Sequence, residues 1–146
     1  MEPIIAQRQT TLDLPWSASS RTFGAVLTSD DWSSERRHLV GRTNMLFSVA
    51  VRSVEAAQDS VRFRLIGDSP DLRHPIFGSI ELTPKDDHET LMTVALRANI
   101  DEEPRTGHLG LREAITSLAD VLMRTAAATA TRVADSPDAD LERSAR

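Results

Sequence analysis

The sequence predicts an α+β domain in which an antiparallel β-meander packs against one long C-terminal helix. Two patterns carry this reading. Between Asn44 and Ala98, apolar and polar residues alternate at a period of two, the signature of half-buried antiparallel strands. Beyond Gly107, residues Leu111, Ile115, Leu118, Leu122, Ala126, Thr129 and Val133 recur at the i, i+4, i+7 spacing of one helical face. That stripe is ~33 Å long at 1.5 Å per residue and needs an extended partner. The apolar face of the meander is the only such surface the chain offers.

The elements follow in order. Ile4 to Leu14 mixes β-branched and polar residues as a strand does, and Pro15 ends it. Trp16 to Leu27 has Trp16, Phe23 and Val26 or Leu27 at near-helical spacing, with Ser17 or Ser19 as cap; a strand over Thr22–Leu27 is the rival. Thr28 to Arg37 opens on Ser29, Asp30 and Asp31, with Glu35 in reach of a capping box, and reads as a short second helix carrying Trp32. In the meander, Met45, Phe47, Val49 and Val51 point one way, and Glu55 to Asp59 reads as a turn. Val61, Phe63 and Leu65 follow, then a loop over Gly67–Pro75. Gly78, Ile80 and Leu82 form the third strand, and Met92, Val94 and Leu96 the fourth, across a charged turn at Pro84–Glu89. Asp135 to Arg146 is polar and charged and is expected to be a disordered tail, leaving a single domain over 1–134.

Composition narrows the function. The 146 residues include 17 Lys+Arg and 22 Asp+Glu, for a net charge of −5. That acidic balance argues against nucleic acid as a partner. Lys85 is the only lysine, and the arginines are scattered rather than clustered. With no cysteine, disulfides, thiolate-held metals and thiol catalysis are excluded. Met1–Ile4 does not open a signal peptide, and the apolar run from Met45 to Val51 falls far short of the ~20 residues of a membrane span. No membrane span is therefore predicted, and a cytoplasmic location is expected.

The order of strand, short helices, meander and long helix resembles the START-like (SRPBCC) superfamily, the helix-grip fold of polyketide cyclases and aromatase/cyclases. Ile76-Phe77-Gly78-Ser79-Ile80-Glu81-Leu82-Thr83-Pro84, a polar turn, and Thr90-Leu91-Met92-Thr93-Val94-Ala95-Leu96 are similar to its late hairpin. The strand ending at Leu14-Pro15 is similar to its opening, and the resemblance covers about residues 4–134. The sequence departs from that pattern at Trp16–Ser20, where serines stand in place of acidic or glutamine residues. The resemblance implies a sheet curled around the last helix, with a cavity between them for a hydrophobic or amphipathic small molecule such as a lipid, sterol or polyketide. Trp32, Met45, Phe47, Phe63, Met92, Leu118 and Leu122 are the expected ligand-binding lining, with Met123 near its edge and Ala119 and Ala126 leaving room. The alternative is that these residues fill a solid core.

Chemistry-bearing motifs are few. G-x-S-x-G, Walker, G-x-G-x-x-G and H-E-x-x-H patterns are all missing. His38, His74, His88 and His108 are scattered without metal-ligand spacing, and Asp86-Asp87-His88-Glu89 reads as a solvated turn. His74 or His38 at a cavity mouth is the only acid–base candidate, and a surface histidine is the preferred reading of each. No catalytic residue, metal or cofactor is assigned. Arg52, Arg62 and Arg64, with Arg97 nearby, fall on the outward sheet face and are read as solvated and balanced by Glu81; Phe77 beside them marks a bulge or a homodimer contact. Three functions remain open: a carrier of a hydrophobic small molecule, a cyclase- or dehydratase-type enzyme using the same cavity, and an interaction module with a filled core.

Overall fold

The computed structural model describes residues 3–27, 36–41, 44–70, 72–99 and 107–134. Eight elements follow one another: β1 (Ile4–Leu12), α1 (Trp16–Leu27), β2 (Arg36–Val40), β3 (Met45–Ala57), β4 (Ser60–Asp68), β5 (Ile76–Pro84), β6 (Thr90–Ala98) and α2 (Gly107–Ala134). The strands form one antiparallel sheet in the order β1-β6-β5-β4-β3-β2. The meander therefore runs through five strands rather than four. β1 closes it by pairing with β6 along its whole length, from Ile4 opposite Ala98 to Leu12 opposite Thr90.

The sheet is curled, and its concave side holds the core. Phe47, Phe63, Ile80, Leu82, Met92 and Val94 point into it with no exposed surface. α2 lies across this side close to β1, β6 and β2, while β3, β4 and β5 approach it less closely. Its buried stripe is Leu111, Ala114, Ile115, Leu118, Ala119, Leu122, Ala126 and Ala130. Four alanines in that stripe keep the helix near the sheet, and the buried line passes through Ala130, with Thr129 only half-buried.

Two contacts set the path of α2. At the end of β2, Gly41 has φ +76° and lies so near the helix that a Cβ there would stand 3.3 Å from the Ala114 Cα. On the opposite edge, Arg8 of β1 donates from Nε to Asp120 Oδ1 at 2.7 Å. The helix thus crosses from the β2 edge to the β1 edge within about two turns. α1 is tied to the sheet end through the Leu14 carbonyl, which accepts hydrogen bonds from Thr90 Oγ1 (2.9 Å) and Ser19 Oγ (3.3 Å).

Several sequence expectations are corrected. Neither Ser17 nor Ser19 caps α1: Ser19 N–H already donates to the Pro15 carbonyl, so the helix starts at Trp16. Of the expected second helix, residues 28–35 with Trp32 lie outside the described residues, while Arg36 and Arg37 begin a strand paired with Val49 and Ser48. Glu55 belongs to β3, which runs to Ala57 because Glu55, Ala56 and Ala57 pair with Arg62, Val61 and Ser60. β4 likewise continues through Gly67 and Asp68. The sheet's bulge falls at Arg52, between Val51 and Ser53, and not at Phe77, whose pairing with Ile66 and Arg97 is unbroken. The expected tail, 135–146, lies outside the described residues.

Tight coiling between β5 and β6 depends on Gly78, where an added Cβ would stand 2.5 Å from the Ala95 carbonyl oxygen. Gly24 in α1 is the opposite case, with nothing within 4 Å of an added Cβ. Gly78→Ala is expected to destabilise the protein by about 1–3 kcal/mol through backbone displacement, and Gly24→Ala to stabilise it by about 0.5–1 kcal/mol through helix propensity and a less entropic unfolded chain. Urea unfolding of the two variants checks both signs.

Candidate ligand site on the concave face

Alternation along β2 places Arg36, His38 and Val40 on the concave side, opposite Val49, Phe47 and Met45 of β3, with Arg37 and Leu39 facing out. Val40 is buried, whereas Arg36 and His38 are only half-buried. The path of α2 accounts for the difference. The helix touches the β2 edge at Gly41, next to Val40, and then moves off toward β1, so cover thins toward Arg36. Beyond Val49 the concave row continues along β3 as Val51 and, past the bulge, Val54. Val51 is half-buried, and Val54 is 42 % exposed although it pairs with the fully buried Phe63.

His38 and its neighbour Arg36 bring polar groups into this otherwise apolar corner. The His38 Nε2 is buried and has no hydrogen-bond partner among the described residues. An unsatisfied buried nitrogen costs about 1–3 kcal/mol, so the position is one where a protein normally supplies a partner or a ligand does. Burial holds the imidazole below its ordinary range near 6.5, and the neighbouring Arg36 guanidinium pushes in the same direction. Near neutral pH the ring is therefore uncharged and can accept or donate one hydrogen bond at Nε2, according to its tautomer.

Of the expected lining, Met45, Phe47, Phe63, Met92, Leu118 and Leu122 come together in one buried cluster. All six are sealed by their neighbours, Met45 being 1 % exposed and the others fully covered. Trp32 lies outside the described residues. Met123 is half-buried and packs on the rim of the cluster. From the sequence, His38 reads as a surface group just before the sheet; the structure puts it inside a strand and facing inward. The alternation of Arg36, His38 and Val40 is a signal for this, but five residues are too few to separate a strand from the end of the helix expected over Thr28–Arg37. His74 is exposed in the β4–β5 loop.

No protein-family model and no curated protein matches the chain. Solved structures do. A START superfamily protein from Mycobacterium smegmatis superposes with a TM-score of 0.59 at 10 % identity, covering 88 % of this chain and 98 % of the other. A conserved protein from Geobacillus kaustophilus gives 0.58 at 12 %, covering 89 % and 94 %. The aromatase/cyclase Zhui from a Streptomyces species gives 0.50 at 12 %, covering 90 % and 95 %. The chain therefore has the START-like helix-grip fold, an α+β scaffold with a curled half-barrel sheet and a C-terminal helix. No helix among the described residues is long and apolar enough to cross a membrane.

The lowered His38 value gives a testable pH dependence. The unfolded chain binds a proton near pH 6.5 that the folded chain resists, so stability falls as pH drops through that value. Glu55, held down by the Arg64 hydrogen bond, and Asp86, held down by the His88 backbone N–H, lose stability only at lower pH, as their own folded values are crossed. Urea unfolding between about pH 5 and 8 is expected to show a slope that is shallower in His38→Gln than in wild type.

Proposed function

We propose that the protein binds a hydrophobic or amphipathic small molecule between the concave sheet face and α2. The polar group of the ligand meets His38 Nε2, and its apolar body lies along Val51 and Val54 toward Phe47 and Phe63. The observation that carries this reading is the buried His38 nitrogen, without a partner among the described residues, in a corner that α2 leaves half-covered. Apolar walls with a few oriented polar groups are how small-molecule sites combine affinity with orientation. Met45 and Met92, unbranched and flexible, are suited to repacking as a ligand enters. Leu118 and Leu122 form the helix side of the same lining. This remains a carrier reading: a cyclase or dehydratase would use the same space to orient a reactive chain.

A filled-core interaction module is the second reading. It is favoured by the complete burial of Phe47, Phe63, Met92, Leu118 and Leu122.

Native mass spectrometry of freshly purified protein, followed by denaturing extraction, separates the two. A bound species of a few hundred daltons is expected in wild type. His38→Leu is expected to lower its occupancy at least ~10-fold, the effect of losing one buried hydrogen bond to the ligand, while the outward-facing Leu39→Ser retains it. A clean unliganded mass in wild type overturns the carrier reading in favour of the filled core.

A further inference from the structure

The opposite, convex face carries a depression of about 310 Å³ that the concave-side reading does not involve. Strand register explains its shape. Across β1, β6, β5 and β4, one outward row is Ile5, Arg97, Phe77 and Ile66, and the next is Gln7, Ala95, Ser79 and Arg64. Ala95 and Ser79 are small and sit side by side, so they form a floor. Arg97, Phe77 and Ile5 rise on one side, and Arg64 and Arg62 on the other. The apolar wall is open to solvent, with Phe77 52 % and Ile5 61 % exposed.

The charges of this depression are unequal. Arg62 donates from Nε and Nη2 to Glu81 Oε2 at 3.1 and 2.7 Å, and Arg64 donates from Nε to Glu55 Oε1 at 2.6 Å. Both are neutralised. Arg97 meets no carboxylate among the described residues; its Nε has only a long contact of 3.4 Å to the Asn99 side-chain oxygen. Among the described residues, the site therefore holds one guanidinium without a carboxylate beside an exposed phenyl ring. A guanidinium pairs two-pronged with a planar carboxylate, and a phenyl ring offers an offset-stacking or edge contact to a flat apolar body.

We propose that this outer depression is a binding site for a planar aromatic monocarboxylate, with the carboxylate on Arg97 and the ring system over Ser79 and Ala95 against Phe77. Among the described residues, one excess positive charge matches one negative charge. A volume near the lower end of small-molecule sites fits a one- or two-ring compound. The proposal is independent of the concave-face ligand.

Titration of 2-naphthoate into the isotope-labelled full chain, followed by amide NMR, tests it. The expected result is a Kd on the order of 0.1–1 mM, as ligand efficiency predicts for an open site. The shifts are expected to concentrate at Phe77, Ser79, Ala95 and Arg97. Neutral 2-naphthol on wild type, and 2-naphthoate on Arg97→Gln, should each bind at least ~10-fold more weakly, and Ser79→Phe should fill the floor and abolish binding. Absence of saturable shifts, shifts concentrated on His38, Phe47 and Val49, or an affinity unchanged in Arg97→Gln would each overturn the proposal.

Discussion

Burial of one narrow helical stripe governs the architecture. The apolar line on α2, from Leu111 to Ala130, is long and rich in alanine, so it loses water only if something wraps close around it. A flat sheet meets a cylinder along a line. A sheet that curls meets it from β1, β6 and β2 together, as here. The curl relies on local devices: the missing side chain at Gly78 and the extra residue at Arg52 in β3. The backbone contact of Gly41 with Ala114 and the Arg8–Asp120 pair then fix where the helix crosses. The ion pair is itself half-exposed and contributes about 0–1 kcal/mol, so it orients more than it stabilises.

The same crossing creates the chemical asymmetry of the concave side. Near Gly41 the helix covers Val40 completely; further along β2 it has turned away, and Arg36 and His38 emerge half-covered beside Val51 and Val54. A polar atom left buried without a partner opposes folding, and that cost is tolerable in a fold whose remaining core is sealed. The outer face follows a different logic. There Arg62 and Arg64 are matched by Glu81 and Glu55 on neighbouring strands, pairs of small energetic weight. Beside the outer depression, that balance leaves Arg97 without a carboxylate among the described residues.

Likeness to START-like structures at 10–12 % identity shows how little side-chain identity this architecture requires. The fold asks for alternating strands, a curled sheet and an apolar helix stripe, which many side chains satisfy. The fold by itself therefore assigns no function, which lies in the particular side chains placed on it.

Strand periodicity and the helical stripe are properties of neighbouring residues, and they were legible in sequence. The inward sets Met45–Phe47–Val49, Val61–Phe63–Leu65, Ile80–Leu82 and Met92–Val94–Leu96 are all buried, and α2 spans the stripe read for it. Features that depend on distant partners were not. Arg36 and Arg37 read as the end of a capped helix, yet Val49 and Ser48 across the hairpin draw them into a strand. Glu55 reads as a turn residue, yet Arg62 opposite it continues the ladder. The inward aim of His38 and the small Ser79–Ala95 floor between larger neighbours also follow from register. Local sequence thus determined the secondary structure and the apolar faces, because periodicity needs no partner. Tertiary structure alone decided which polar groups those faces enclose, because burial and pairing are set by what lies across the sheet.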